Sequence, residues 1–148
     1  MMKVDVCIVG AGPGGALLAY LLAKKNISVV LIERTNQIGK TFRGEHLNEE
    51  GEAILKKYNL FDEIEKLGLL RMKKLEYWQH GEVFKTILPH PEIGHLGIHV
   101  PQAHLLQVLI DAAKKYTNFH LMLNTKVDEL LQDEHGSYTG VKASENGE

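Results

Sequence analysis

Apolar positions follow three different rhythms along this 148-residue chain. Lys3 to Val9 and Ser28 to Glu33 are short, nearly continuous apolar runs rich in β-branched residues. That pattern predicts strands of a parallel sheet covered on both faces. Between them, Pro13 suits the first turn of a helix that continues from Ala16 to Lys25. Leu17, Leu18, Leu21 and Leu22 are its expected apolar face. Lys24 and Lys25 complement the negative end of the helix dipole, and Asn26 can close it in the left-handed conformation. Strand, helix and strand in so short a span make a β-α-β unit, whose right-handed crossover sets the two strands parallel.

The middle of the chain changes rhythm. Thr35 to Phe42 reads as a polar loop, and Asn48 as the N-cap of a helix from Glu49 to Tyr58. A short helix over Phe61 to Leu67 follows. Met72 to Gln79, His80-Gly81 and Glu82 to Leu88 predict a β-hairpin. Pro89 to Gly97 is a loop, broken by Pro89, Pro91, Gly94 and Gly97. Pro101 opens a helix to about Tyr116, with Leu105, Leu109 and Ala112 in helical register and Leu106 and Ile110 widening the stripe. Strands are expected over Phe119 to Leu123, Lys126 to Leu131 and Tyr138 to Ala143. The closing Asn146-Gly147 pair is a strong hairpin signal. The plain reading is a flexible tail; the preferred one is a returning strand that the sequence does not contain, hence a chain interrupted inside a hairpin with Tyr138 to Ala143 left as an unpaired edge.

Composition narrows the classes. With 44% hydrophobic residues the chain can bury one core. A formal net charge of -2 argues against a nucleic-acid partner, which calls for a basic face. The single cysteine, Cys7, excludes an internal disulfide and a cysteine-based zinc cluster, and fits a reduced, cytoplasmic setting. Placed mid-strand, Cys7 is expected to be buried and unreactive. The longest apolar run, Ala16 to Ala23, is too short to span a bilayer. His90, His95, His99 and His104 lie close together, but their spacing and Pro/Gly surroundings suit loop histidines and not a metal site. Tyr77 and Trp78 are expected to pack on opposite faces of their strand.

Chemistry concentrates in Gly10-Ala11-Gly12-Pro13-Gly14-Gly15, a G-x-G-x-x-G turn between the first strand and the first helix. Gly10 permits the tight turn, Gly12 lets backbone approach a pyrophosphate, and Gly15 lets helix and strand pack closely. The helix N-terminus then offers N–H groups and a positive dipole end to phosphates. Glu33 ends the second strand 23 residues after Gly10, where a carboxylate can accept hydrogen bonds from a ribose diol and repel a 2′-phosphate. Arg34 beside it is a further candidate contact. The fingerprint itself fits NAD and FAD equally, because both carry an adenosine pyrophosphate.

The segment "DVCIVGAGPGGALLAYLLAKKNISVVLIER" resembles the start of the FAD-dependent aromatic hydroxylases, flavoprotein monooxygenases related to p-hydroxybenzoate hydroxylase. "FRGEHLNEEGEAILKKYNLFDEI", "HVPQAHLLQVLIDAA" and "FHLMLNTKVDELLQD" resemble later blocks of the same family, in the same order. The resemblance implies an α/β, Rossmann-like FAD-binding domain: a parallel sheet with flanking helices and a β-hairpin insertion over about residues 71–88 from a substrate region. Residues 1–148 would be the N-terminal part of that domain. By the same resemblance Arg43 and Gln102 contact the cofactor and the Val127 backbone brackets the adenine; His46, just after the Arg43 loop, is either a flavin neighbour or, as is commoner for loop histidines, solvent-facing. It implies FAD as cofactor, NAD(P)H as reductant, O₂ as oxidant and a small aromatic or similar organic substrate. A reductase or halogenase of the same lineage, or an inactive nucleotide-binding fragment, are the alternatives. The family's downstream Gly-Asp segment has no counterpart in these residues, and no catalytic acid or base is assigned.

Overall fold

The computed structural model describes residues 2–39 and 45–145. Among these the elements run β1 (Val6–Val9), α1 (Pro13–Lys24), β2 (Val29–Ile32), β3 (His46–Leu47), α2 (Glu49–Lys57), α3 (Phe61–Leu67) and β4 (Leu70–Arg71). They continue β5 (Leu75–Gln79), β6 (Glu82–Ile87), β7 (Ile98–His99), α4 (Gln102–Lys114), β8 (Phe119–Met122), β9 (Thr125–Gln132) and β10 (Tyr138–Glu145). The chain divides into two compact units, Met1–Thr41 with Leu106–Glu148, and Phe42–Leu105.

The first unit is built on a three-stranded sheet in the order β1-β2-β8. β1 pairs parallel with β2, Val6 opposite Val29 through Val9 opposite Ile32, as the β-α-β reading requires. β8 pairs parallel on the far side of β2. All four residues of β2 are buried, so the central strand is covered on both faces. Asp5 fastens the entry to β1, its carboxylate accepting the Ser28 N–H at 2.8 Å and the Ser28 hydroxyl at 2.6 Å.

Helix α1 corrects the sequence reading. Its buried positions are Ala16, Ala19, Tyr20 and Ala23 at i, i+3, i+4 and i+7, whereas Leu18 is 47% exposed. The physical reason is proximity: small side chains let the helix axis lie close to the sheet, and the leucines flank that contact. Asn26 closes the helix at φ 62°, as expected. The Asn118 side chain donates to the Ala23 and Ile27 carbonyls at 3.1 and 2.7 Å, satisfying acceptors at that helix end.

β9 and β10 form an antiparallel hairpin, from Tyr138 opposite Gln132 to Glu145 opposite Thr125. The expected unpaired strand is therefore paired along one edge, and it runs on to Glu145. Its turn is closed by Asp133, whose carboxylate accepts the His135 and Ser137 N–H groups at 2.9 Å each. Asn146-Gly147 lie outside the described residues.

In the second unit Asn48 caps α2, its Oδ1 accepting the Gly51 N–H at 3.0 Å. α2 and α3 bury Leu55, Phe61 and Ile64. The β5–β6 hairpin turns at His80-Gly81, both at positive φ, as predicted. It is shorter than the expected insertion. Leu70–Arg71 pair instead with β7, and the Met72 N–H donates to the Gly97 carbonyl at 3.0 Å. β3, β7 and β4 make a small sheet in that order. Tyr77 packs on Phe84 with ring centroids 6.0 Å apart, but Trp78 is 62% exposed and does not pack as expected. His99 lies in β7 and His104 in α4, so neither is a loop histidine. His95 is largely buried, its Nε2 3.4 Å from Glu52 Oε2, because α2 presents an otherwise costly buried carboxylate there. α4 buries Leu105, Leu106, Leu109, Ile110 and Ala112, the predicted stripe. Cys7 is half-buried and not fully buried, and burial pushes its thiol pKa up.

Candidate functional site

The C-terminal ends of β1 and β2 meet at the glycine turn. Gly10 adopts φ +102°, a conformation other residues resist, and its N–H donates to the Ile32 carbonyl at 2.7 Å. Gly15 is held by contact: a Cβ there would stand 2.1 Å from the Gly10 carbonyl oxygen and 3.3 Å from Ile8 Cγ2. The first turn of α1 thus lies directly against the end of β1, the close packing expected of the third glycine of the fingerprint.

Helices α1 and α2 begin differently. α2 has its Asn48 cap and Glu49, Glu50 and Glu52 in the first turn. α1 has Gly12 as its N-cap, no side-chain cap and no acid in its first turn. Pro13 has no N–H, and the Gly14 and Gly15 N–H groups have no intrahelical acceptor by position. No side chain of α1's own first turn compensates the positive end of that dipole, and glycines leave its backbone sterically open. Among the described residues, chain neighbours and the helix's own backbone aside, no atom lies within 4 Å of a Cβ built at Gly12 or Gly14.

Glu33 is bonded directly to the turn. Its Oε2 accepts the Ala11 N–H at 2.9 Å; its Oε1 accepts the Thr35 N–H and Thr35 hydroxyl, each at 3.0 Å. Partial burial alone raises the carboxyl pKa, but these hydrogen bonds and the Arg34 charge outweigh it and hold the group below the ordinary glutamate value. The Glu33 carbonyl accepts the Thr125 N–H at 3.0 Å, and the Thr35 carbonyl accepts the Asn124 N–H at 2.9 Å. These bonds tie the start of β9 to the end of β2.

Between them opens a hollow of about 310 Å³ lined by Val9, Gly10, Ile32, Glu33, Arg34, Thr125, Lys126 and Val127. Of the residues singled out in the sequence, Gly10, Glu33, Arg34 and Val127 therefore line one cavity. Gly12, Pro13, Gly14 and Gly15 begin α1 in the same unit. Gln102 belongs to the second unit, at the start of α4, where its N–H meets Glu45 Oε1 at 3.4 Å. Arg43 lies outside the described residues. His46 is exposed in β3, in register with His99. Thr125, Lys126 and Thr35 were not singled out beforehand. The signal for the first two was the break at Asn124, at φ 54°, which turns the chain towards β2. For Thr35 there was none, since an exposed threonine after a strand is ordinary.

A glycine turn leading into a helix N-terminus without a side-chain cap, a carboxylate bonded to the Ala11 N–H of that turn and an open hollow beside them define a dinucleotide-binding α/β unit. Residues 3–148 match the family described as FAD binding domain, and the chain belongs to it. It is 30% identical over 133 residues to 6-methylpretetramide 4-monooxygenase of Streptomyces rimosus, covering 87% of this chain and 31% of that protein. It is 28% identical over 145 residues to the 3-(3-hydroxy-phenyl)propionate/3-hydroxycinnamic acid hydroxylase of Burkholderia cenocepacia, covering 97% of this chain and 27% of that protein. The fold matches PqsL of P. aeruginosa with a TM-score of 0.84 at 23% identity, over 95% of this chain and 38% of that one. The chain thus spans about a third or less of the curated relatives named here. Among the described residues no helix is long and apolar enough to cross a membrane.

Proposed function

We propose that the chain is the FAD-binding portion of a flavin-dependent monooxygenase that hydroxylates a small aromatic or similar organic substrate, using O₂ and NAD(P)H in a cytoplasmic setting. The observation that carries this reading is one hollow lined together by Gly10, Glu33 and Val127, in a chain of the FAD binding domain family. Its residues fit an adenosine diphosphate. The α1 N-terminus with Gly12, Pro13, Gly14 and Gly15 receives the pyrophosphate, Glu33 the ribose diol, and the Val127 backbone with Arg34 the adenine side. Gly15 holds the turn in place, since its missing Cβ is what lets Gly10 and the helix meet. Arg43 and Gln102 are assigned to the flavin half, and the β5–β6 hairpin to the start of a substrate region. The chemistry FAD supplies when bound is transfer of electrons from NAD(P)H to O₂, with one oxygen atom passing to the substrate. The protein's share is to bind, orient and shield.

The reading is tested on the longer protein that carries this segment. It should oxidise NAD(P)H in a manner stimulated by an aromatic substrate, and product formed under ¹⁸O₂ should carry one labelled oxygen. Substrate reduction or halogenation without labelled oxygen would refute it.

A further inference from the structure

Helix α4 begins without a cap of its own. The Pro101 carbonyl accepts the Leu105 N–H at 3.2 Å, which puts Pro101 at the N-cap position, and its side chain has no oxygen to offer. No acid stands in the first turn of α4. The missing charge comes from 57 residues away in the chain. Glu45 Oε1 accepts the N–H of Gln102, the first residue of the helix, at 3.4 Å. The backbone of Glu45 is itself held: its carbonyl accepts the Val100 N–H at 2.8 Å, beside the pair in which His46 faces His99. Its side chain is only 18% exposed, and His99 Nδ1 lies 3.7 Å from Oε2. All of these residues but Leu105's successors in α4 belong to the second unit.

We propose that Glu45 is the positioning residue of Gln102: its carboxylate caps α4 from outside the helix and so fixes the backbone from which the Gln102 side chain projects. The inference rests on the reading of Gln102 as a contact of the flavin half. A carboxylate at a helix N-terminus is favoured twice, by the N–H it accepts and by the positive end of the dipole. The bond falls on the first helical residue, where helices fray unless they are tied. A glutamine on a frayed turn would have to be ordered as the ligand binds; on a tied one much of that ordering is already done. Glu45 also follows Arg43 by two positions. One carboxylate therefore joins the chain just after one flavin-side candidate to the backbone of the other.

FAD and ADP separate this role from a merely structural one, because ADP lacks the flavin half. Their affinities are measured by calorimetry on the purified chain and on Glu45→Ala, Glu45→Gln, Gln102→Ala and the Glu45→Ala/Gln102→Ala pair, with folding checked by circular dichroism. The parent chain should bind FAD more tightly than ADP. Glu45→Ala should lower that preference about threefold to tenfold with ADP affinity unchanged, and should lower it no further once Gln102 is alanine. Glu45→Gln keeps an acceptor but not the charge and should lose about twofold; paired with Gln102→Ala it gives the same cycle where the alanine variant does not fold. Preference intact in Glu45→Ala but reduced in Gln102→Ala overturns the Glu45 inference alone, as do equal losses with and without the Gln102 side chain. Preference unchanged by Gln102→Ala, or no preference for FAD in the parent chain, overturns the assignment of Gln102 to the flavin half.

Discussion

Gly14 and Gly15 are neighbours in the first turn of α1, yet alanine should act on them in opposite directions. At Gly15 an added Cβ meets the Gly10 carbonyl oxygen at 2.1 Å, with the Gly10 carbonyl carbon and Ile8 Cγ2 at 3.3 Å. The first obstacle is backbone and cannot rotate away. Relieving it needs a shift of roughly 1 Å between helix and strand, in the upper part of the overpacking range, about 3 kcal/mol. Alanine's better helix propensity returns at most about 1 kcal/mol. The expected net loss for Gly15→Ala is about 2 kcal/mol. At Gly14 no described atom beyond its chain neighbours and its own helix lies within 4 Å, so only the propensity gain remains, and Gly14→Ala should add up to about 1 kcal/mol. Urea unfolding followed by far-ultraviolet circular dichroism gives both numbers by linear extrapolation. A Gly15→Ala chain as stable as its parent, or two variants moving in the same direction, would refute the packing argument.

Glu33→Ala should weaken FAD binding by about 1–3 kcal/mol, measured by calorimetry, because ribose hydroxyls lose a charged acceptor. The pH dependence of folding carries the same residue's signature. The folded Glu33 pKa lies below its ordinary value of 4.5, so its stabilising contribution is complete above that pH and is lost as pH falls through the folded pKa. Glu33→Gln should accordingly flatten the acid limb of the stability curve, followed by urea midpoints between pH 6 and the acid transition. Asn48→Ala should cost about 1 kcal/mol, read from the thermal midpoint, since the Gly51 N–H loses its partner.

Legibility in the sequence followed the range of the interactions. The β-α-β unit was readable because local signals agree: apolar runs at Val6–Val9 and Val29–Ile32, a proline at the helix start and Asn26 at its end. Which face of α1 is buried was not, because leucine hydrophobicity suggested one side while the closeness of the sheet selected Ala16, Ala19 and Ala23. β3, β4 and β7 are two residues long, too short for any periodicity, and their pairing is set by tertiary contact. The β9–β10 pairing was missed although both strands were expected, because Asp133 to Ser137 carries its turn in side-chain hydrogen bonds and a positive-φ Gly136, without an Asn-Gly signal. In the site, Gly10, Glu33 and Val127 were legible through spacing and resemblance. Thr35 was not, since what singles it out is its placement in the fold, its N–H and hydroxyl oxygen both within reach of Glu33 Oε1.

The central claim is that the glycine turn and Glu33 form a site for the adenosine diphosphate half of FAD. It is tested most directly by titrating the purified chain with FAD and with FMN, which keeps one phosphate but lacks the adenylate, and then competing with ADP. The account predicts saturable FAD binding displaced by ADP, with FMN failing to bind. FMN binding as tightly as FAD, or FAD binding that ADP leaves untouched, would contradict it.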